Sequence, residues 1–201
     1  MQLIDSPASP FCRKVKIVLH ETGLIGDVEL VQVLNTPVAP DDLNRVNNPL
    51  GKIPTLIRAE GCALYDSRVI CRYLDARAGA ALYPEHRIWE TLTLEATGDG
   101  IMDAAVLMVY EVRFREENHR NEAWTDAQWG KVWRALETLE ARWMSHLHGK
   151  LDAGQISVGC ALGYLDFRHG DRDWRTAHPA LAAWYQGFVA RPSMEATVPP
   201  A

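Results

Sequence analysis

A serine three residues ahead of a cysteine, in Ser9-Pro10-Phe11-Cys12, is the stretch of this chain best suited to chemistry. It follows a short apolar strand, Met1 to Ile4, and opens an amphipathic run containing Val15, Ile17, Val18 and Leu19. Ser9 is therefore placed to cap a helix, with Pro10 at the first helical position. The four residues read as a Cys-x-x-Cys redox turn whose first cysteine has become serine. Such a turn can bind and polarise a thiol but cannot close an internal disulfide. Cys12 is the rival nucleophile, and at the second position of the turn it is expected to face inward and to stay protonated.

Two further segments carry recognition chemistry. In Asn48-Pro49-Leu50-Gly51-Lys52-Ile53-Pro54-Thr55-Leu56 an X-Pro bond stands directly before a strand-like apolar run. A cis peptide there would leave the backbone N–H and C=O of Ile53 free to pair with an extended ligand. In Leu64-Tyr65-Asp66-Ser67 a strand ends and a helix, Val69 to Ala78, begins. The side chains and N–H groups of Asp66 and Ser67 would then form an anion-binding helix N-terminus.

The elements that must hold these residues follow from periodicity and turn signals. Through about Ala78 the order is strand, helix, strand, helix, strand, strand, helix. The second strand is Val28 to Val33, a short helix lies near Asp41 to Asn47, and strands Thr55 to Ile57 and Cys62 to Tyr65 bracket the turn Glu60-Gly61. Residues 79–87, with Leu82-Tyr83-Pro84, read as a linker. Beyond it the 3.6-residue period takes over, over Ile88 to Glu117, Asp126 to His148, Ile156 to Phe167 and Ala180 to Ala190. The expectation is an α/β domain over residues 1–78 followed by an all-α helical bundle over 88–201.

Composition narrows the function classes. The 201 residues are 47% hydrophobic and 23% charged, ordinary for a globular protein. A net charge of −5 and clusters of at most three basic residues argue against a nucleic-acid partner. No apolar run is long enough to span a bilayer, and Asp5 and Pro7 interrupt the apolar start, so neither a membrane partner nor a signal peptide is expected and a cytoplasmic location is. Cys12, Cys62, Cys71 and Cys160 lack disulfide or metal spacing and are expected to be reduced and buried. His146 and His148 cannot share one helix face, so no metal site is expected.

Taken in this order and spacing, the three segments resemble the glutathione transferase family, and the Ser-Pro-Phe-x-Arg-Lys form, residues 9–14, resembles its bacterial serine-type members. The resemblance implies a thioredoxin-like first domain and a helical second domain that supplies the electrophile pocket. Two features of the second half fit it: Asp152-Ala-Gly-Gln155, read as a capping box opening a buried helix, and Arg191-Pro192-Ser193-Met194. It further implies a homodimer acting in detoxification, with glutathione as a cosubstrate, no permanently bound cofactor, and a small hydrophobic electrophile as partner.

Carried onto this sequence, the family pattern makes Ser9 the group that hydrogen-bonds the glutathione sulfur and favours its thiolate. Ile53, beside Pro54, would pair with the cysteinyl backbone. Asp66 and Ser67 would hold the γ-glutamyl end and Lys52 would face the glycyl carboxylate, with Phe11 alongside. Met108 and Tyr110 are the expected acceptor-pocket residues. Gly98-Asp99-Gly100 is read as a close backbone approach at a subunit contact. Trp89, Tyr110, Phe114, Trp129, Trp133 and Trp143 are expected to be helix core, and Asp166 a satisfied structural carboxylate. Two alternatives stand beside conjugation: a non-catalytic glutathione or ligand carrier of the same fold, and a thiol oxidoreductase working through Cys12.

Overall fold

A computed structural model describes residues 1–200, which form two compact units. In the first, Met1–His86, the central strand β1 (Gln2–Asp5) runs parallel to β2 (Glu29–Gln32) and antiparallel to β3 (Thr55–Ile57). Leu3 sits opposite Leu30 and Leu56, and Ile4 opposite Val31 and Thr55. Leu3 and Ile4 are both fully buried, so β1 is covered on two faces and reads as a continuous apolar run. Helices α1 (Pro10–Glu21), α2 (Asp42–Asn47) and α3 (Ser67–Ala78) complete this unit's layers.

The expected fourth strand, Cys62 to Tyr65, is reduced to one antiparallel bridge in which Leu64 and Leu56 exchange two hydrogen bonds of 2.9 Å. Gly61 turns the chain at φ +81, and Arg58 clamps the carbonyl of Cys62, so the hairpin closes after a single pair. α3 starts two residues earlier than its apolar pattern suggests, because Asp66 caps it. It stops where Gly79 takes the left-handed conformation.

The second unit, Arg87–Arg191, is all helical. It comprises α4 (Ile88–Phe114), α5 (Glu122–Thr138), α6 (Met144–Leu147), α7 (Ala153–His169), α8 (Trp174–Ala177) and α9 (Pro179–Val189). Capped by Asn121, α5 begins four residues before the expected start at Asp126, and a π-type stretch, Leu139–Trp143, interrupts what reads as one helix running on to His148. α7 is apolar nearly all round and buried from Ala153 to Leu165, as a central helix must be. The final helix, α10 (Pro192–Glu195), belongs with the first unit, where the Arg13 guanidinium donates to the Met194 carbonyl at 3.1 Å.

The capping box at the head of α7 is present in both directions. The Gln155 N–H donates to Asp152 Oδ1 at 3.1 Å, and the Asp152 N–H donates to Gln155 Oε1 at 2.7 Å. Asp152 is fully buried, and its other oxygen gathers the Thr91 hydroxyl at 2.9 Å, His146 Nε2 at 2.7 Å and the Arg87 guanidinium at 3.3 Å. Asp166 is the satisfied carboxylate its position suggests, accepting from Trp174 Nε1 at 2.9 Å and from Arg175 at 2.6 Å.

Three expectations are corrected. The backbone that approaches Gly98 is that of α7 in the same chain: a Cβ there would stand 2.6 Å from the Ser157 carbonyl carbon and 2.8 Å from the Val158 nitrogen. Asp99 accepts from the Ser157 hydroxyl at 2.9 Å, so this segment makes an internal helix contact. Trp89 is 75% exposed and forms no part of the helix core. Cys62, expected among the buried thiols, is exposed, whereas Cys12, Cys71 and Cys160 are buried.

Candidate active site

Register alone brings three segments of the first unit together. α1 follows directly from the end of β1, and the antiparallel pairing of Ile4 with Thr55 sets the start of β3 beside that end. The Leu56–Leu64 bridge runs antiparallel as well, and two residues after it Asp66 opens α3. The starts of α1 and β3 therefore lie at the C-terminal end of the central strand β1, and Asp66 at the head of α3 lies within range of the Lys14 charge on α1.

Ser9 is the N-cap of α1, with extended backbone at φ −82 and ψ 122. Its oxygen accepts from the Cys12 N–H at 3.3 Å, and its own N–H donates to the Ser6 carbonyl at 3.0 Å. The residue is partly exposed, so a hydroxyl stands at the positive end of a twelve-residue helix where a ligand can reach it. Phe11, in the first turn of α1, is also partly exposed. Cys12 differs: it is fully buried. Burial pushes its thiol up to about 12, and the Asp5 carboxylate pushes the same way, against smaller opposing effects from Ser9, Ser6 and Lys16. Asp5 is itself buried and pairs with Lys16 at 3.1 Å.

The Ile53-Pro54 peptide is cis. Pro54 is buried, Ile53 partly exposed and Lys52 exposed. The Ile53 N–H and C=O take part in no backbone pairing among the described residues. What fixes this loop is a buried polar network that the sequence reading missed. Asn48 Nδ2 donates to the Lys52 carbonyl at 2.8 Å, the Thr55 hydroxyl donates to Asn44 Oδ1 at 2.9 Å, and Asn44 Nδ2 reaches Asn35 Oδ1 at 3.1 Å. The asparagines before the proline, spaced four apart, were its only signal in the sequence.

At the head of α3, Asp66 Oδ1 accepts from the Arg68 N–H at 3.0 Å, and Oδ2 pairs with the Arg68 guanidinium at 2.8 Å. Burial acts to raise its pKa, but the hydrogen bonds and charge of Arg68, helped by Lys14, outweigh that and hold the carboxyl below its usual range. Ser67 is buried at the first helical position. An ionised carboxylate beside open N–H groups suits a zwitterionic ligand that carries an amine and a carboxylate on one carbon.

The two expected acceptor residues lie on α4 in the helical unit. Met108 is 3% exposed and sits in that unit's core. Tyr110 is partly exposed and packs on Phe114 with ring centroids 5.4 Å apart.

Residues 3–82 match the glutathione S-transferase N-terminal domain, and residues 122–187 match the C-terminal domain. The chain belongs to the glutathione S-transferase family. A glutathione transferase family member from Pseudomonas fluorescens Pf-5, solved with bound glutathione, is 50% identical over 100% of this chain and 99% of its own, with a TM-score of 0.97. The Pf-5 family member was also solved with S-(propanoic acid)-glutathione, at 50% identity, a TM-score of 0.92 and 99% coverage of both chains. The GST-like protein YibF of Escherichia coli K12 is 32% identical over 100% of this chain and 99% of its own. The glutathione transferase fold thus accounts for the mixed three-stranded sheet and the helical unit that follows it. No group of side chains able to hold a metal ion occurs among the described residues, and no described helix is long and apolar enough to cross a membrane.

Proposed function

We propose that this glutathione transferase joins the glutathione thiolate to a small electrophile, with Ser9 donating a hydrogen bond to the sulfur. One observation carries the proposal. The reachable group at the head of α1 is the Ser9 hydroxyl, while the thiol one turn on is sealed and pushed up to about 12. A hydroxyl donor and the positive helix end both favour a thiolate over a thiol, so the nucleophile is the cosubstrate's own sulfur. The unpaired Ile53 backbone supports docking of an extended peptide. Ionised Asp66 and the head of α3 support capture of its γ-glutamyl end, and exposed Lys52 suits the glycyl carboxylate. The bound glutathione and glutathione adduct in the 50% identical Pf-5 structures agree with this ligand. The oxidoreductase alternative needs a thiolate at Cys12, which its burial opposes.

Retention on immobilised glutathione, together with turnover of an aryl halide, tests the proposal on the wild type, Ser9→Ala and Cys12→Ala. All three proteins are expected to be retained. Ser9→Ala should slow conjugation on the order of 10-fold, equivalent to about 1.4 kcal/mol of thiolate stabilisation. Cys12→Ala should keep its activity. Activity lost with Cys12 and kept without Ser9 would establish the oxidoreductase instead, and retention without any turnover would establish a carrier.

A further inference from the structure

In the first unit α2 is seated inside out. Asn44 and Thr55 are fully buried and Asn48 is 1% exposed, whereas Leu43 and Val46 on α2 stand 41% and 83% exposed. Hydrogen bonds rather than an apolar face therefore hold this helix against β3. Neutral buried hydrogen bonds add little net stability each, but a fully bonded network fixes the orientation of everything it touches.

The bonds converge on two backbone carbonyls. Asn35 Nδ2 donates to the Gly51 carbonyl at 3.0 Å, and Asn48 Nδ2 donates to the Lys52 carbonyl at 2.8 Å. The same Asn48 amide reaches the Thr55 hydroxyl at 3.3 Å, and Thr55 donates in turn to Asn44 Oδ1 at 2.9 Å. Asn44 Nδ2 donates to Asn35 Oδ1 at 3.1 Å, and Asn48 Oδ1 accepts the Leu50 N–H at 3.0 Å. The Lys52 carbonyl oxygen also lies 3.1 Å from Thr55 Oγ1, so it is turned fully into the network.

That carbonyl shares a peptide plane with the Ile53 N–H, and the Lys52–Ile53 bond is trans. In a planar trans peptide the C=O and the N–H point to opposite sides. With the carbonyl held inward, the Ile53 N–H is turned away from the network, and it has no partner among the described residues.

We propose that Asn48 and Thr55 are positioning residues for glutathione: by holding the Lys52 carbonyl they aim the Ile53 N–H at the cysteinyl carbonyl of the tripeptide. The proposal rests on the transferase reading above and names what sets its docking edge. Both side chains are sealed from solvent and act through the backbone. Without them the peptide plane is free to rotate, and an extended ligand loses the donor it pairs with.

The test measures Kd for glutathione by calorimetry, KM for glutathione and kcat with an aryl halide, and Tm without ligand, in the wild type, Thr55→Val, Thr55→Ser, Asn48→Asp and Ser9→Ala. Thr55→Val removes the hydroxyl at nearly constant shape, and Asn48→Asp replaces the donor by an oxygen that repels the Lys52 carbonyl. Both should raise Kd and KM about 10-fold and leave kcat at saturating glutathione unchanged. Thr55→Ser, which restores the hydroxyl, should bind as the wild type does, and Ser9→Ala should give the reverse split, a lower kcat at an unchanged KM. Unchanged Kd in Thr55→Val and Asn48→Asp would overturn the positioning role and leave the transferase reading standing if Ser9→Ala is slowed. Weaker binding in both variants of a wild type that never turns over would uphold the positioning role and overturn the transferase. A wild type that does not bind glutathione would overturn both. Hydrogen exchange at the Ile53 amide of the wild type decides the matter should the variants fail to fold. It should be fast in the free protein and slowed by glutathione, and an amide equally exposed with and without glutathione would refute the proposal.

Discussion

At the scale of the residue, the decisive contrast is between Ser9 and Cys12, one turn apart on α1. A cap must keep its side chain at the open end of the helix, whereas a residue three positions on turns toward the sheet. That much was legible in the sequence. The exposure of Cys62 was not, because the turn at Gly61 leaves its side chain outside a hairpin that closes after one pair. The consequence is a labelling order: an alkylating reagent at neutral pH should modify Cys62 first and leave Cys12 untouched until the protein unfolds, as peptide mapping by mass would show. Cys12 also sets an alkaline limit. Its folded pKa, about 12, lies above the ordinary 9.0, so the stability it contributes is complete below about pH 9 and is lost as pH rises toward 12. Denaturant unfolding followed across that window should fall less steeply for Cys12→Ala than for the wild type. Equal slopes would mean that the thiol is not sealed.

At the scale of the element, α7 is the member on which the helical unit is built, and its contact with α4 depends on glycine. Gly98→Ala would press a methyl group against the backbone of Ser157 and Val158, with an expected cost of about 1–3 kcal/mol. Gly100 meets nothing within 4 Å, so Gly100→Ala should gain about 0.8–1 kcal/mol of helix propensity. Opposite shifts in Tm for two glycines two residues apart are the expected result, and shifts of the same sign would contradict the packing. The pair of glycines was visible in the sequence as an unfavourable choice for a helix, but which backbone came close was not, because that depends on the partner helix. The capping box behaves likewise. Its reciprocal bonds were readable from Asp152 and Gln155, whereas the convergence of Thr91, His146 and Arg87 on the same carboxylate is a product of tertiary folding. Losing a cap costs about 1 kcal/mol, but removing the partner of a buried charge costs about 3–5 kcal/mol. Asp152→Ala should therefore melt far below the wild type, and Asp152→Asn, which keeps the cap acceptor, should lie between them. A loss of only 1 kcal/mol in Asp152→Ala would show that the charged neighbours contribute nothing.

At the scale of the whole molecule, the division into a β/α unit and a helical unit was legible because hydrophobic periodicity changes from two to 3.6 after Gly79. The return of α10 to the first unit was not, since nothing in Arg191-Pro192-Ser193-Met194 specifies its packing partner, and the contact is made by Arg13, far away in sequence. The heads of α1, β3 and α3 were each marked by a capping or turn residue, and the strand register brings those marks together. The most direct test of the account is the titration of glutathione bound to the intact protein, followed by thiolate absorbance in the wild type and in Ser9→Ala. The account requires the bound thiol to ionise well below the usual range near 8.5, and to move back up by about one unit when the Ser9 hydroxyl is removed. Superimposable titration curves for the two proteins, with glutathione bound in both, would contradict it.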